Sequence, residues 1–590
     1  MDVKTRGIAP SDAERDAVAT ILGPAPARDV HDGSGGQSLR ALRHLLLPTL
    51  HAVNDRAGWI SQPAIDHIAE RLDLGPAEVY AVASFYALFS LSERPSDQVH
   101  VCIDLACRVD GGFTEADLPA GAHPSPCLGL CERAPAALVI DAGEPVRRVV
   151  AGNVTPVQVR SWVGGDRPQA EAPPAAAVPQ AGDESLVLLR RVGRHDPLDL
   201  DAFLADRGFE ALALARDIGP EAVIAAVSES GLTGRGGAAF PTGRKWDAVR
   251  TQPATPHYLI CNADESEPGT FKDRTLIEND PFALIEAMAI AAFATGCEHG
   301  YVYLRGEYPR AYHTLHEAIV ACRDRGLIGV DAGFEITLVK GAGAYICGEE
   351  TAIFNSIEGY RGEPRNKPPF PFQVGLFGLP TVVNNVETLM NVPPILLDGV
   401  EANRRLFCLS GAVASPGVYE VELGLTLREL IELAGGLRGG SALQAVLLGG
   451  AAGGFAGPDD LDLILDQEST RAAGLTLGSG VVMVHDQSVD LVDQLIRIAA
   501  FFRDESCGQC VPCRVGTVRQ DEALRRLAAG VRDGELALLR DIGRAMQDAS
   551  ICGLGQTAFN AIETAIDRLE MFGSGSGANT SGPASGGVRP

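Results

Sequence analysis

The chain has 590 residues, 46% of them hydrophobic and 21% charged, and its 50 Lys and Arg against 76 Asp and Glu give a net charge of −26. That length predicts about three to five domains, and the acidity excludes the basic surface that nucleic-acid binding needs. No window approaches the ~20 apolar residues of a membrane span, and the opening M-D-V-K-T-R-G-I-A-P-S-D lacks a signal-peptide core. The expectation is a cytoplasmic protein without direct membrane insertion. Its 13 cysteines are then candidates for metal or redox duty rather than disulfides.

Residues 1–37 are polar and Gly-rich near Asp32–Gly36, which predicts a flexible arm. Residues 38–163 form the first unit. Leu42, Leu45, Leu46 and Leu50 recur at helical spacing, and further helices are predicted at Ile65–Leu72 and Ala77–Leu91. Strands follow at Gln98–Asp104, Ala136–Ile140 and Val146–Val150, then a helix at Pro156–Val163. Residues 164–185 are Pro- and Ala-rich and predict a semi-extended linker without a core. Residues 186–400 alternate strands (His257–Cys261, Gly300–Leu304, Phe334–Val339) with helices (Pro281–Thr295, Pro309–Arg325), an α/β pattern. Residues 401–488 carry short strands and one helix, Thr426–Leu433, a small α+β module. Residues 489–572 read as a helical bundle, with helices at Leu491–Arg503, Gln520–Ala529, Glu535–Ser550 and Ala558–Phe572. Residues 573–590 have the composition of a disordered tail.

Two cysteine sets carry the chemistry. Cys507, Cys510 and Cys513 stand in E-S-C-G-Q-C-V-P-C-R-V-G, and Cys552 in S-I-C-G-L-G is the candidate fourth ligand. Three thiols two residues apart plus one remote thiol match a [4Fe–4S] cluster; structural zinc is the alternative. In the first unit Cys102 and Cys107 are five positions apart and Cys127 and Cys131 four. That spacing suits a [2Fe–2S] cluster, with zinc again the alternative. Cys261, Cys297, Cys322, Cys347 and Cys408 are scattered and predicted to be core residues.

Between the two sets lie glycine loops. Gly231–Trp246, G-L-T-G-R-G-G-A-A-F-P-T-G-R-K-W, sets glycines before Lys245 as in an anion cradle, although it matches neither a dinucleotide nor a Walker fingerprint. A tight packed turn is the alternative. Cys261–Arg274, C-N-A-D-E-S-E-P-G-T-F-K-D-R, places Asn262, Asp264, Glu265 and Glu267 after a strand, where α/β folds bind ligands. A solvated acidic loop is the bland alternative. Lys340–Glu350 precedes a predicted helix whose start favours phosphate. Arg365–Phe372 is a stiff Pro-rich loop with Lys367 and Phe370, and Thr381–Thr388 holds Asn384 and Asn385; an ordinary loop is the default for both. No Ser/His/Asp set or H-E-x-x-H motif stands out.

These motifs, in this order, resemble the NADH-oxidising flavoprotein subunit of respiratory complex I and its counterparts in NAD-dependent formate dehydrogenases and NAD-reducing hydrogenases. Residues 38–163 resemble the thioredoxin-like [2Fe–2S] subunit of those enzymes, joined here ahead of the flavin subunit. The resemblance implies a multidomain α/β chain with four parts: a thioredoxin-like [2Fe–2S] domain, a Rossmann-like FMN domain, a β-grasp (ubiquitin-like) module and a [4Fe–4S] helical bundle. It implies FMN held by Gly234, Arg235, Gly236, Gly237, Lys245, Asn262, Asp264, Glu265, Tyr345, Gly348, Glu349, Asn384 and Asn385. NAD(H) would meet Phe240, Glu267, Glu350, Lys367 and Phe370. It further implies a diaphorase subunit, most of all that of a molybdenum or tungsten formate dehydrogenase, with a nickel–iron hydrogenase or a complex I-like assembly as alternatives. The partner would carry further iron–sulfur clusters and a molybdopterin or nickel–iron site. A zinc-bound scaffold is the non-enzyme alternative. Some fused hydrogenase subunits have lost part of the [2Fe–2S] cysteine set, whereas all four stand here. Two departures are visible. Ala239 stands where the family often has Gly, and a positive φ there would shift the loop. The interval from Cys107 to Cys127 is short, which implies a missing element.

Overall fold

The computed structural model describes residues 9–24, 41–168 and 171–573. Most of the expected arm and nearly all of the expected tail lie outside those residues. Within the arm the expectation is corrected: Asp12–Leu22 is an α-helix. Ser11 and Glu14 form a reciprocal capping box at its start, and Ala17 and Val18 are buried, packing toward the helix Leu46–Ala57. The S-x-x-E signal was present in the sequence.

The first unit closes on a four-stranded sheet of β1 (Asp97–Cys102), β2 (Ala122–Ser125), β3 (Ala136–Asp141) and β4 (Arg147–Gly152), in the order β2-β1-β3-β4. Strands β1 and β2 run parallel, with Cys102 opposite Ser125; the other pairs are antiparallel. The short interval after Cys107 therefore still supplies a strand, β2, which the sequence did not suggest because A-H-P-S lacks a β pattern. The predicted helix over Ala77–Leu91 ends earlier, at Ala83. Beyond it Ala87 and Leu88 donate their amides to the carbonyls of Gly343 and Ala342, so this aromatic segment docks on a glycine loop of the next domain.

The second domain is built on β5 (His257–Ala263), β6 (Cys297–Leu304), β7 (Glu335–Lys340) and β8 (Thr381–Asn385), all parallel, in the order β7-β6-β5-β8. Strand β8 replaces the expected loop. Its T-V-V start is β-branched and pairs with β5, so that Asn262 lies opposite Asn385 and Cys261 opposite Asn384. The helix Pro281–Thr295, nearly all of it buried, is apolar on every face and fills the layer beside this sheet. The five scattered cysteines are buried, as expected.

The next module is a five-stranded sheet of β9 (Arg404–Gly411), β10 (Gly417–Glu422), β11 (Leu443–Leu448), β12 (Gly454–Ala456) and β13 (Val481–Asp486). The order is β10-β9-β13-β11-β12, with β9 and β13 parallel, and the helix Leu427–Leu433 packs on it within a separate apolar core. The last unit is helical: Leu491–Glu505, Val511–Ala528, Glu535–Ala549, Gly553–Thr557 and Asn560–Arg568.

The linker is also corrected. It does not run free, because Pro174–Ala177 forms a 3₁₀ turn with Ala177 buried. The Gln180 side chain pairs with the backbone of Glu420, accepting from its N–H at 2.8 Å. The Glu420 carboxylate in turn accepts from the amides of Val187, Leu188 and Leu189. Strand β10 is a sheet edge, and the linker with the segment after it occupies that edge region.

Candidate functional site

The C-terminal ends of β5, β6 and β8 converge where parallel sheets hold ligands. Glycines line that mouth. Gly237 has φ +114, and a Cβ on Gly236 would come within 3.3 Å of Asn385. Ala239 has φ +51, so the departure anticipated in the sequence is real and this loop holds an L-residue in the left-handed region.

Lys245 donates to the carbonyl of Val383 at 3.1 Å and stands 3.8 Å from Glu350. Burial, joined by the like charge of Lys367, lowers its pKa against the pull of Glu350. Lys367 in turn meets Glu349 at 2.9 Å and Glu350 at 2.6 Å. This ladder of two lysines and two glutamates crosses the mouth. Burial opposes the Glu350 charge, but Lys245 and Lys367 hold its pKa below the ordinary value. Phe240 and Phe370 stand beside it, 48% and 45% exposed; Arg244 and Lys245 each lie 5.9 Å from the Phe240 ring centroid and Phe372 stacks on Phe370 at 5.8 Å.

The acidic loop divides its labour. Asn262 donates to the carbonyl of Gly348 at 2.8 Å. Asp264 accepts from Ser266, yet its Oδ2 is buried without a partner, and burial raises its pKa well above the usual range. An orphaned buried oxygen aimed among these loops fits a hydroxyl-bearing ligand. Glu265 has no such freedom. Its carboxylate accepts from Thr270, the amides of Asp273 and Arg274, and Tyr308. The side chain thus secures the start of the helix Lys272–Asn279, and the Glu265 backbone carbonyl accepts from Arg305 and Tyr308. Glu267 accepts from the amide of Ala452 and from Ser479, each at 2.9 Å, and burial pushes its pKa up to about 7. It ties the loop to the β-grasp module.

Arg235 also differs from an open cradle residue. Its guanidinium is buried and donates to the carbonyls of Ala402 and Arg404, while its backbone N–H donates to Thr388. Asn384 accepts from the Trp246 indole at 2.9 Å. Asn385 donates to Asp273 and accepts from the amide of Glu387.

Glu349 caps the helix Glu350–Ile357 by accepting from Thr351 and Ala352. Tyr345 lies between this loop and the helical bundle: its amide donates to Glu505 at 2.8 Å and its ring meets Phe501 at 5.0 Å. Ile346, the next residue, lines a small pocket together with Cys507, Cys510, Cys513 and Cys552. Cys510 is the N-cap of the helix Val511–Ala528 and Cys552 that of Gly553–Thr557; two helix starts thus bring cysteines to the lining of one pocket. Among the described residues no three His, Cys, Asp or Glu side chains converge tightly enough for one metal ion. Burial pushes Cys552 up to about 12 and Cys513 up to about 11, so these thiols need bound metal to stay deprotonated.

The second set is fully buried, with Cys102, Cys107, Cys127 and Cys131 each at most 3% exposed. The sulfurs of Cys127 and Cys131 are 3.5 Å apart. Hydrogen bonds from Cys102 and Cys131 hold the Cys127 thiol well below its usual pKa. Sequence reasoning missed what encloses this set. Arg274 donates to the Gly129 carbonyl and pairs with Glu132, Arg305 donates to the Cys127 carbonyl, and Arg497 pairs with Asp104. The visible signal was arginine inside otherwise buried runs, T-F-K-D-R and Y-L-R-G-E.

Comparison with known proteins agrees with this layout. Residues 227–394 match the Nuo51 FMN-binding domain and residues 493–571 the NADH-ubiquinone oxidoreductase-F iron–sulfur binding region. Residues 37–117 match the thioredoxin-like [2Fe–2S] ferredoxin and residues 406–458 the SLBB domain. The NADH-quinone oxidoreductase F subunit of Aquifex aeolicus is 43% identical over 412 residues, 67% of this chain and 95% of that one. The NADP-reducing hydrogenase subunit HndC of Solidesulfovibrio fructosivorans is 41% identical over 402 residues, 65% of this chain and 81% of that one. A solved chain of an NAD+-reducing [NiFe]-hydrogenase in the H2-reduced state superposes with a TM-score of 0.74 at 32% identity, covering 90% of this chain and 92% of that one. Fold and site together define an NADH dehydrogenase-type oxidoreductase subunit whose cofactors are FMN, a [4Fe–4S] cluster and a [2Fe–2S] cluster. More particularly, the chain belongs to the family of the NADH-quinone oxidoreductase F subunits.

Proposed function

We propose that the chain is a diaphorase subunit exchanging electrons between NAD(H) and a partner protein. The observation that carries this is the turn Tyr345–Gly348. Gly348 is tied to Asn262 in the acidic loop, Ile346 lines the cysteine cavity, and Tyr345 is tied to Glu505 beside the cysteine motif. One turn thus touches both the flavin mouth and the cluster pocket.

The residues assigned to FMN are the loop Gly234–Gly237, Lys245, Asn262, Asp264, Glu265, Tyr345, Gly348, Glu349, Asn384 and Asn385. Phe240 and Phe370 offer partly exposed rings for the adenine, and Glu267, Glu350 and Lys367 stand at the nucleotide end. Bound FMN supplies the conversion between two-electron hydride chemistry and single-electron transfer. The protein's task is to align the ring systems and keep water from them. Cys507, Cys510, Cys513 and Cys552 would hold the [4Fe–4S] cluster, and Cys102, Cys107, Cys127 and Cys131 the [2Fe–2S] cluster.

The parent assembly we propose is a cytoplasmic molybdenum or tungsten formate dehydrogenase, in which this subunit reduces NAD+. Retention of all four [2Fe–2S] cysteines in a fused chain supports it. An NAD-reducing hydrogenase is the second reading, favoured by the likeness to a hydrogenase chain over 90% of this one. Native purification decides between them: a co-purifying molybdopterin subunit with formate-dependent NAD+ reduction supports the first, and a nickel-bearing subunit with hydrogen-dependent reduction replaces it. In the purified complex, Cys552→Ala should abolish the cubane signal and partner reduction while sparing direct flavin reduction by NADH. Survival of partner reduction would overturn the fourth-ligand assignment.

A further inference from the structure

Arg305 follows the C-terminal end of β6 and is 2% exposed. Its three nitrogens join two distant loops and the nearby Glu307. Nη1 donates to the carbonyl of Glu265 in the flavin loop at 2.6 Å, and Nη2 donates to the carbonyl of Cys127 at 2.5 Å. Nη2 and Nε also meet Glu307, at 3.0 and 3.4 Å, and Glu307 is 1% exposed. Tyr308 lies under the guanidinium, 4.8 Å from it, and its hydroxyl donates to Glu265. A Cβ on Gly129, two residues from Cys127, would come within 2.2 Å of the Tyr308 hydroxyl. The cysteine loop is therefore pressed against Arg305 and Tyr308.

A simple packing role does not need a buried cation there. Burying an ion pair is costly unless its geometry is close to ideal, and an apolar pair of similar volume would fill the space. We propose that Arg305 is a positioning residue that sets the reduction potential of the [2Fe–2S] centre while locking its Cys127 loop to the flavin loop. The physical reason is charge. Reduction adds one electron to a site closed off from water, and a fixed cation in contact with a ligand's backbone stabilises the added charge. Glu307 is hydrogen-bonded to Arg305 rather than to the Cys127 carbonyl, so it moderates the cation rather than cancelling it.

The inference rests on Cys127 being a [2Fe–2S] ligand, and the test separates the two. Full-length holoprotein is titrated in alkaline buffer with both clusters followed by electron paramagnetic resonance. Arg305→Gln should lower the [2Fe–2S] potential and Glu307→Gln should raise it, each by about tenfold in the oxidised-to-reduced ratio, or ~59 mV for one electron. The [4Fe–4S] potential should stay in place, and Arg305→Lys should recover most of the lost potential. Shifts of the same sign, or no shift with the cluster intact, overturn the proposal. If Arg305→Gln fails to fold, the sign of the Glu307→Gln shift still decides. Absence of a [2Fe–2S] signal in the unaltered protein would instead sink the ligand assignment.

Discussion

Ala239 and Glu267 show how single residues tune the flavin mouth. At φ +51, Ala239 occupies a region that costs an L-residue about 1–2 kcal/mol. Part of that strain is recovered with glycine, offset by glycine's greater freedom when unfolded. Ala239→Gly should therefore raise stability by up to about 1 kcal/mol, read as a higher Tm, with flavin affinity retained. Glu267 carries a pH signature. Its folded pKa is pushed up to about 7 by burial, above the ordinary glutamate value. The folded chain then keeps a proton that the unfolded chain has released, so stability is lost as pH rises toward the folded pKa. Glu267→Gln should flatten that decline, and the difference between the two Tm-against-pH curves isolates it from other buried acids. An unchanged slope would mean that Glu267 is ionised throughout.

Elements place what residues cannot place alone. The amides at the start of Lys272–Asn279 are met by Glu265, which turns a residue that looks like a ligand into a cap. Glycine at 129 permits the cysteine loop to touch Tyr308. Gly129→Ala should distort that loop and cost the [2Fe–2S] centre, while iron and the spectral signature of the [4Fe–4S] centre remain, because Cys507–Cys513 and Cys552 belong to the C-terminal helical unit. Loss of both clusters together would contradict independent assembly.

At the scale of the whole molecule, one apolar core runs from the first unit to the helical bundle, and ion pairs cross between the parts. Arg108 pairs with Asp493, Arg438 with Asp110 and Arg497 with Asp104, each joining the first unit to the bundle or to the β-grasp module. Arg274 and Arg305 reach from the flavin domain into the cysteine loop. Gly164–Asp166 is exposed, so a protease site built there should be cut. The two fragments should still co-elute on gel filtration, because the buried contacts do not depend on chain continuity. Separation of the fragments would show that the linker, not the interface, holds the domain.

Cysteine spacing, glycine loops and the helical, α/β and α+β patterns were legible from residues alone, because they are local: neighbouring residues set thiol spacing, turn freedom and periodicity. The helix Asp12–Leu22 was also written locally, in S-D-A-E. Strand β8 was not, since its T-V-V-N-N run becomes a strand by pairing with β5. Nor was the linker's docking on β10, which needs an edge that exists only once the sheet forms. The division of roles among Arg235, Glu265 and Asp264 also depended on burial and on partners far along the chain. The stretch E-S-C-G-Q-C-V-P-C by itself determined a thiol spacing that suits a [4Fe–4S] cluster, with structural zinc as the alternative. Only the tertiary structure placed Cys552 and Ile346 round the same cavity and set Tyr345 between it and the flavin mouth, because those contacts join segments that no local pattern relates.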